Sequence, residues 1–593
     1  MHRSNNTRRD FLKALGWSSA AIGVLGCRGL LEPLSSGQAG DRPNVILIVT
    51  DDQGYGDIGA HGNPVLKTPN LDILHAQSLR LDNYHVDPVC SPTRAALMTG
   101  RYASRTGVWA VTEGRQLLRR DEITVADVFA HNGYRTGIFG KWHLGDNYPY
   151  SPRYRGFQEV VTLGGGAIGE IPDFWGNDYF DDTYLHNGKL ETYRGYCTDV
   201  FFGEALKFIR SNKSPPFFVY LPINAMHGPH KVADEYAEPY RSKGIPENRA
   251  RFYGMIANFD ENLGRLLTKL KQWDLEDNTI VIFMGDNGTS VDYNPKTGDG
   301  YNAGMRAKKG SVYDGGHRVA CFIRWPGKLQ AGHEVRPITS HRDILPTLIE
   351  LCDLKKPEGV KFDGDNIVPL LTCNAPRWPE RTMFVHRQPD HPKKWNECAV
   401  MTDRWRLVNG EELYDMSNDP GQKTNVAALH PELVKKLREA YEKWWADISD
   451  RFDEYCHFLI GSENENPTVL TARDWHPTQG RVPWRQQTLS DDKRWDNGFW
   501  AVEIVQSGQY EFTLRRFPTE ANKPMSAMEA RLKIANIDVN KSIPKKATSI
   551  TFRLALEARH TQLQTWLSDE KTGKIRGAYY VYVKRFTGKD VLK

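Results

Sequence analysis

The 593-residue chain is several times longer than a domain of about 100 to 150 residues, so two or more packed units are expected. Its apolar and charged fractions, 39% and 25%, are those of soluble protein, and no run approaches the roughly 20 apolar residues of a membrane-crossing helix. The formal charge of +5 is concentrated before Gly26, where Arg3, Arg8, Arg9 and Lys13 face only Asp10; the remainder, about +2, offers no polybasic tract for nucleic acid, so an anionic substrate would need a local site.

Thr7-Arg8-Arg9-Asp10-Phe11-Leu12-Lys13 and the weakly apolar stretch from Ala14 to Leu25 read as a twin-arginine export signal. Residues 1–42 are therefore set apart as signal and linker. The expected product is exported by the twin-arginine machinery and is periplasmic or at the cell surface. Cys27 follows Val24-Leu25-Gly26 as in a lipoprotein cleavage box, although Leu25 is atypical there; a lipid anchor at Cys27 and a soluble form cut further on are both open.

Past the linker, Val45-Ile46-Leu47-Ile48-Val49 is continuously apolar and β-branched, the pattern of a central parallel strand covered on both faces. Further strands are expected at 136–139, 217–221, 279–284 and 319–323. Helices are expected at 124–131, with Thr124 as N-cap, and at 199–209, 248–272 and 342–351. This alternation predicts an α/β fold with a mainly parallel sheet flanked by helices, over residues 43–375. Short strands at 397–400 and 405–408 and a helix at 431–445 predict a smaller α+β subdomain over 376–460. Alternating segments at 498–505, 510–514, 549–554 and 578–583, with a turn at Ser507-Gly508, predict an appended β-sandwich over 461–593. The cysteines Cys27, Cys90, Cys197, Cys321, Cys352, Cys373, Cys398 and Cys456 are too scattered for a disulfide scaffold, although Cys352 and Cys373 could bridge in an oxidising periplasm.

Polar clusters stand just past the apolar strands, where open α/β sheets place their ligands. Asp51-Asp52 follow the first strand and Asp286-Asn287 follow the strand at 279–284, after a single Gly285. One such aspartate alone reads as an N-cap or Asx-turn; two pairs converging on one crevice would repel unless a hard cation lay between them, Ca²⁺ ahead of Mg²⁺. Cys90 opens a helix in which Pro92 tolerates the first turn and Ala95 to Met98 propagate it. A thiol at that end of the helix dipole is either an activated nucleophile or a packed core residue.

Cys90-Ser91-Pro92-Thr93-Arg94, followed by Ala95-Ala96-Leu97-Met98-Thr99-Gly100, resembles the signature of the type I sulfatases of the alkaline-phosphatase superfamily. The stretch Gly133-Tyr134-Arg135-Thr136-Gly137-Ile138-Phe139-Gly140-Lys141-Trp142-His143-Leu144-Gly145 is similar to a second family segment. So are Met226-His227-Gly228-Pro229-His230, Asp286-Asn287-Gly288 and the run from Lys309 to Gly316. The likeness covers about residues 43 to 445. It implies that a formylglycine-generating enzyme oxidises Cys90 to formylglycine and that Asp51, Asp52, Asp286, Asn287 and the modified Cys90 hold calcium. It further implies that one hydroxyl of the hydrated aldehyde, held by Arg94, attacks sulfur, and that the second lets the adduct collapse by C–O cleavage. His143 would be the base for that collapse, Lys141 would steady the hydrate and the sulfate, and Lys309 with His227 would bind sulfate and protonate the leaving oxygen.

Two departures stand out: Asp314 replaces the more usual glutamate, and His230 lies close enough to His227 to compete for the sulfate. His317, Arg318 and His386-Arg387-Gln388 are placed to reach the rest of the substrate. The expected substrate is a sulfated glycan, with the loop from Gly164-Gly165-Gly166 to Trp175-Gly176 and Trp475, Trp484, Trp495 and Trp500 as candidate sugar platforms. A phosphatase or phosphodiesterase of the same superfamily would use serine or threonine where Cys90 stands, with additional His/Asp metal ligands. A non-catalytic glycan-binding protein would lack ligands or nucleophile, and none is lacking.

Overall fold

A computed structural model describes residues 42–293, 300–373, 377–569 and 572–586; the expected export leader with Cys27 and the boundary at 375/376 lie outside these residues. The central apolar runs form adjacent parallel strands β1 (Asn44–Thr50), β2 (Arg135–Gly140), β3 (Phe217–Pro222) and β4 (Thr279–Gly285), in the spatial order β4, β1, β3, β2. Val45, Leu47 and Val49 enter one core while Ile46 and Ile48 enter another, which is why the sequence shows no polar alternation. On the first face lie the helix α1 (Cys90–Thr99) and the helices Val125–His131 and Ile344–Leu351; the second carries Cys197–Ser211 and Glu247–Gln272. Thr124 caps its helix through a reciprocal box with Asp127.

The large sheet has ten strands and is mixed at its edges. The expected strand at 319–323 is Cys321–Arg324 and runs antiparallel to β4. Thr183–His186 and Lys189–Thr192 close the other edge as an antiparallel hairpin. Residues 383–415 form a four-stranded antiparallel sheet covered by the helix Pro431–Ile448, with Phe384 stacked on Trp444 at 4.7 Å.

Two C-terminal sheets share one core that includes Trp475, Trp500, Tyr510, Phe512, Leu532, Leu563 and Val581. Asn497–Ile504 belongs to one sheet and Gly508–Arg515 to the other, so the turn at Ser507-Gly508 crosses between layers and is not a hairpin. Leu117, Tyr150 and Ile171 of the α/β unit enter the same core. No disulfide joins Cys352 to Cys373; the Cys373 sulfur lies 3.6 Å from the His333 ring.

Glu465 joins the two parts, accepting the Tyr148 N–H at 2.7 Å and the Asn147 side-chain amide at 2.9 Å. Burial pushes its carboxyl from an ordinary 4.5 up to about 7. The folded chain thus holds this proton more tightly than the unfolded chain, so the stability it contributes is full below pH 4.5 and is lost as pH rises through 7. Glu465→Gln should therefore lose less stability than the wild type across that window, by up to about 1.4 kcal/mol per pH unit. Urea midpoints at intervals from pH 4.5 to 7 check this; parallel curves for the two proteins contradict it.

Candidate active site

The site is assembled at the C-terminal ends of the four parallel strands. Their register brings Thr50 beside Gly285 and Val49 beside Pro222, so the loops that follow leave at one level. Asp51 and Asp52 follow β1, Lys141 and His143 follow β2, His227 follows β3, and Asp286 and Asn287 follow β4. Cys90 begins α1, after Val89 in extended conformation with no side-chain cap on the first turn. The buried Cys90 sulfur and one carboxylate oxygen each of Asp51 and Asp286 lie within 4.8 Å of one another. The sequence-expected nucleophile and acids therefore meet in one place.

Each acid is faced by a cation. Lys141 donates to Asp51 Oδ2 at 2.7 Å, Lys309 meets Asp52 Oδ1, and Arg94 donates to Asp286 Oδ2 through Nε at 3.2 Å and Nη2 at 2.7 Å. Arg94 Nη1 also donates to the Lys141 carbonyl at 3.1 Å, so this guanidinium fixes Asp286 and the β2 loop together. Asp52 sits at φ +63° with its N–H on Asp286 Oδ1 at 3.1 Å, and it accepts the Asn287 amide at 2.9 Å. Burial raises the carboxyls of Asp51 and Asp286, the latter to about 6, where Asp51 adds to the effect and Arg94 opposes it. Burial also acts on Asp52, but Lys309, His227 and the Asn287 amide outweigh it and keep that carboxyl well below the usual range.

Within the acidic cluster, Asp51 Oδ1 and Asn287 Oδ1 are buried acceptors with no donor among the described residues. Orphaned buried oxygens are costly, and a hard cation would satisfy both. Together with Asp52 and Asp286 they form an oxygen donor set suited to such an ion, while Lys141, Lys309 and Arg94 already balance the three carboxylates. An added divalent ion would leave the pocket positive and attractive to an anion.

Burial, reinforced by Lys309 and opposed by Asp52, pulls His227 down to about 3, so its ring is neutral at pH 7. His227 is coupled to Lys309, Asp52 and Lys141 of the cluster, whereas His230 turns its Nδ1 to Asn248 at 2.9 Å. His143, at φ +63°, is buried and held well below its ordinary range by burial, Lys141 and Arg473. Its Nε2 is 3.1 Å from the Val111 carbonyl and touches the Arg473 guanidinium, while Nδ1 has no partner among the described residues. Gly166 packs so closely that a Cβ there would collide with the His143 ring, which explains the glycine in this loop.

Other expected contacts are not at this crevice. His317 is fully buried, with Nδ1 3.0 Å from His85 Nδ1 and Nε2 3.1 Å from the Val312 carbonyl, so it stabilises an interior polar cluster and is not exposed to substrate. Arg318 is spent on the Asp82 carbonyl and carboxylate, at 2.9 and 3.3 Å. His386 bonds Ser104 at 2.9 Å and packs edge-on against Trp444, and Gln388 braces its own loop through Asn396. Arg387 alone of that trio is half-exposed, 3.5 Å from the carbonyl of Gly310, next to Lys309. Asp314, the departure from the usual glutamate, pairs with Arg406 at 2.9 Å.

Sequence reading missed Glu170, Arg473 and Arg485. Glu170 accepts Arg473 Nε and the Gly166 N–H, both at 2.7 Å, and Arg485 donates to the Gly228 carbonyl at 3.2 Å, beside His227. Nothing in their local sequence marks them, because the contacts join segments about 300 residues apart or are made through backbone.

A family model described as Sulfatase matches residues 43–354, and one described as N-sulphoglucosamine sulphohydrolase, C-terminal, matches residues 306–446. Human arylsulfatase A is 30% identical over 479 residues, covering 70% of this chain and 90% of its own length. Human N-acetylgalactosamine-6-sulfatase is 31% identical over 371 residues, covering 58% and 68%. Among solved structures, Ps i-CgsB in complex with k-i-k-neocarrahexaose superposes with a TM-score of 0.62 at 31% identity, covering 68% of this chain and 92% of that one.

Proposed function

Because the chain belongs to the sulfatase family and is a sulfuric ester hydrolase, we propose that it removes sulfate from a sulfated saccharide, using formylglycine made from Cys90 by a formylglycine-generating enzyme and a calcium ion. Asp51, Asp52, Asp286, Asn287 and the modified Cys90 would hold the ion. The carrying observation is the pair of orphaned oxygens, Asp51 Oδ1 and Asn287 Oδ1, in the cluster where Cys90 sits within 4.8 Å of the carboxylates of Asp51 and Asp286. Ca²⁺ fits this all-oxygen set better than Mg²⁺, which keeps several waters.

When present, the hydrated aldehyde supplies an attacking hydroxyl and an exit by C–O cleavage, and the cation supplies charge that acidifies that hydroxyl. The chain's own residues do the rest. Lys141 and Lys309, each beside an acid of the cluster, face an incoming sulfate as fixed positive charges. Neutral His227 carries its one proton on Nδ1, 2.8 Å from the Gly228 carbonyl, and presents Nε2 as an acceptor, so the proton for the leaving oxygen would come from Lys309. Arg94 holds Asp286 in place, and His143 is kept neutral and so able to take a proton.

For the saccharide, the C-terminal sheets narrow the choice of platform. Trp475 and Trp500 have no exposed surface, and Trp495 lies under Arg576 with the guanidinium 4.4 Å from its ring. Trp484 is 38% exposed, and its neighbour Arg485, stacked on it at 4.3 Å, reaches the peptide beside His227. An exposed indole with an adjoining guanidinium suits a sugar ring bearing further anionic groups. Purified enzyme should release sulfate from sulfated saccharides, and Trp484→Ala should lower kcat/KM for them about tenfold relative to a small aryl sulfate. Activity confined to aryl esters would overturn the saccharide assignment.

The protein is further proposed to be exported through its twin-arginine leader, to the periplasm or the cell surface, as either a soluble form or one lipid-anchored at Cys27. That system carries folded cargo, so Cys90 would be modified in the cytoplasm. Replacing Arg8 and Arg9 with lysine should leave modified enzyme inside the cell; unmodified cytoplasmic protein counts against this order of events.

A further inference from the structure

Arg473 lies in the turn Ala472–Asp474 between the C-terminal strands Thr468–Thr471 and His476–Gln479, beyond both matched family regions, yet its guanidinium ends on His143. Its side chain is 2% exposed. Nε donates to Glu170 Oε2 at 2.7 Å and Nη2 to the Val111 carbonyl at 2.8 Å, while Nη2 also meets His143 Nε2. We propose that Arg473 is a positioning residue for His143, so that the C-terminal sheets complete the catalytic centre. This rests on the proposed hydrolysis of a sulfate ester, in which His143 handles a proton.

The turn is anchored on both sides. Ala472 N–H donates to the Tyr579 carbonyl at 2.8 Å within the C-terminal unit, and Glu113 N–H donates to the Arg473 carbonyl at 3.1 Å from the α/β unit. Asp474 meets Gln116 and accepts the Thr471 hydroxyl at 2.9 Å, and Trp475 is fully buried in the sandwich core. The guanidinium therefore arrives on a rigid mount, and its planar fork of five N–H donors fixes what it touches more tightly than a lysine would. Gly166 lies on the same edge of the ring: a Cβ there would collide with His143 Nε2 and Cε1 and with Arg473 Nη2, so the glycine makes the space in which the guanidinium and the imidazole meet.

Stability alone does not account for a buried arginine here, since a buried ion pair is commonly replaceable by apolar residues without loss. A fixed cation against an imidazole also disfavours the imidazolium, so the ring stays unprotonated and free to accept a proton to lower pH, at some cost in basicity. The charged and polar groups facing His143 are Lys141 on its own loop, Arg94 from α1, the Val111 carbonyl, and Arg473 with Glu170 and Asp146 behind it. Among the described residues, three cations and no directly paired carboxylate surround the ring.

The test compares full-length wild type with Arg473→Met and Arg473→Lys on an aryl sulfate and a sulfated saccharide. Arg473→Met should lower kcat about 10- to 100-fold on both substrates with KM within about threefold. The acid limb of its pH profile should move to higher pH, and Arg473→Lys should restore the limb more fully than the rate. Histidine-labelled protein read by NMR should show the His143 titration shifted upward in Arg473→Met. A lower denaturation midpoint with unmoved pH profile and unmoved His143 titration would make Arg473 merely structural. A loss confined to KM for the saccharide would make it a substrate contact; either result overturns the proposal. If wild type released no sulfate from either ester, the functional reading would fail, and the NMR titration would still decide whether Arg473 controls His143.

Discussion

Cys90→Ala should abolish turnover, lowering kcat on the order of 10⁶-fold, as loss of a nucleophile does in other covalent hydrolases. The effect should fall on kcat, because Lys141, Lys309 and His227 remain in place to bind sulfate. Cys90→Ser refines the expectation. A serine that is not converted keeps a hydroxyl able to attack sulfur but has no geminal partner to expel the sulfate by C–O cleavage. It should therefore release at most about one equivalent of alcohol product per enzyme and stall as the serine sulfate, detectable in the intact mass. Multiple turnovers by an unconverted serine variant would mean that the second hydroxyl is dispensable.

Asp286→Ala should be the most destabilising change at the site, by about 3–5 kcal/mol. Asp286 and Arg94 both have 0% side-chain exposure, and the carboxylate takes two of the guanidinium's N–H groups. Removing it leaves a buried cation still bonded to the Lys141 carbonyl but without a carboxylate partner, and it orphans the Asp52 N–H. Denaturant unfolding of the α/β unit checks the figure. The double variant Asp286→Ala with Arg94→Met should recover much of the loss, since removing both charges removes the unpaired one, while activity stays absent in both. A single-variant loss below about 1 kcal/mol would show that water reaches Arg94 and that the pair is not sealed.

The legible parts of the molecule are those in which one segment carries its own signal. β1 and β4 could be read because strands buried on both faces must be apolar throughout, and the acids after them because ligand groups follow such strands. Cys90, Lys141, His143, His227 and Lys309 were found as members of extended motifs. Partner choice was not legible: alternation marks Asn497–Ile504 and Gly508–Arg515 as strands but does not say that they lie in different sheets. The antiparallel course of Cys321–Arg324 is hidden for the same reason.

Exposure was misread where polar residues follow glycine or sit near motifs. His317 and His386 are interior groups paired with His85 and Ser104. Arg473 was invisible because its partners, His143 and Glu170, are 330 and 303 residues away, and no local pattern encodes a contact made by packing one unit against another. The C-terminal sheets read as an appendage in sequence; in the structure they share a core with Leu117, Tyr150 and Ile171 and end on His143.

The most direct measurement is mass spectrometry of the peptide that contains Cys90, taken from enzyme shown to be active and treated with an aldehyde-reactive hydrazide. An aldehyde at position 90 in proportion to specific activity is the predicted result. An unmodified thiol throughout a fully active preparation would contradict the account.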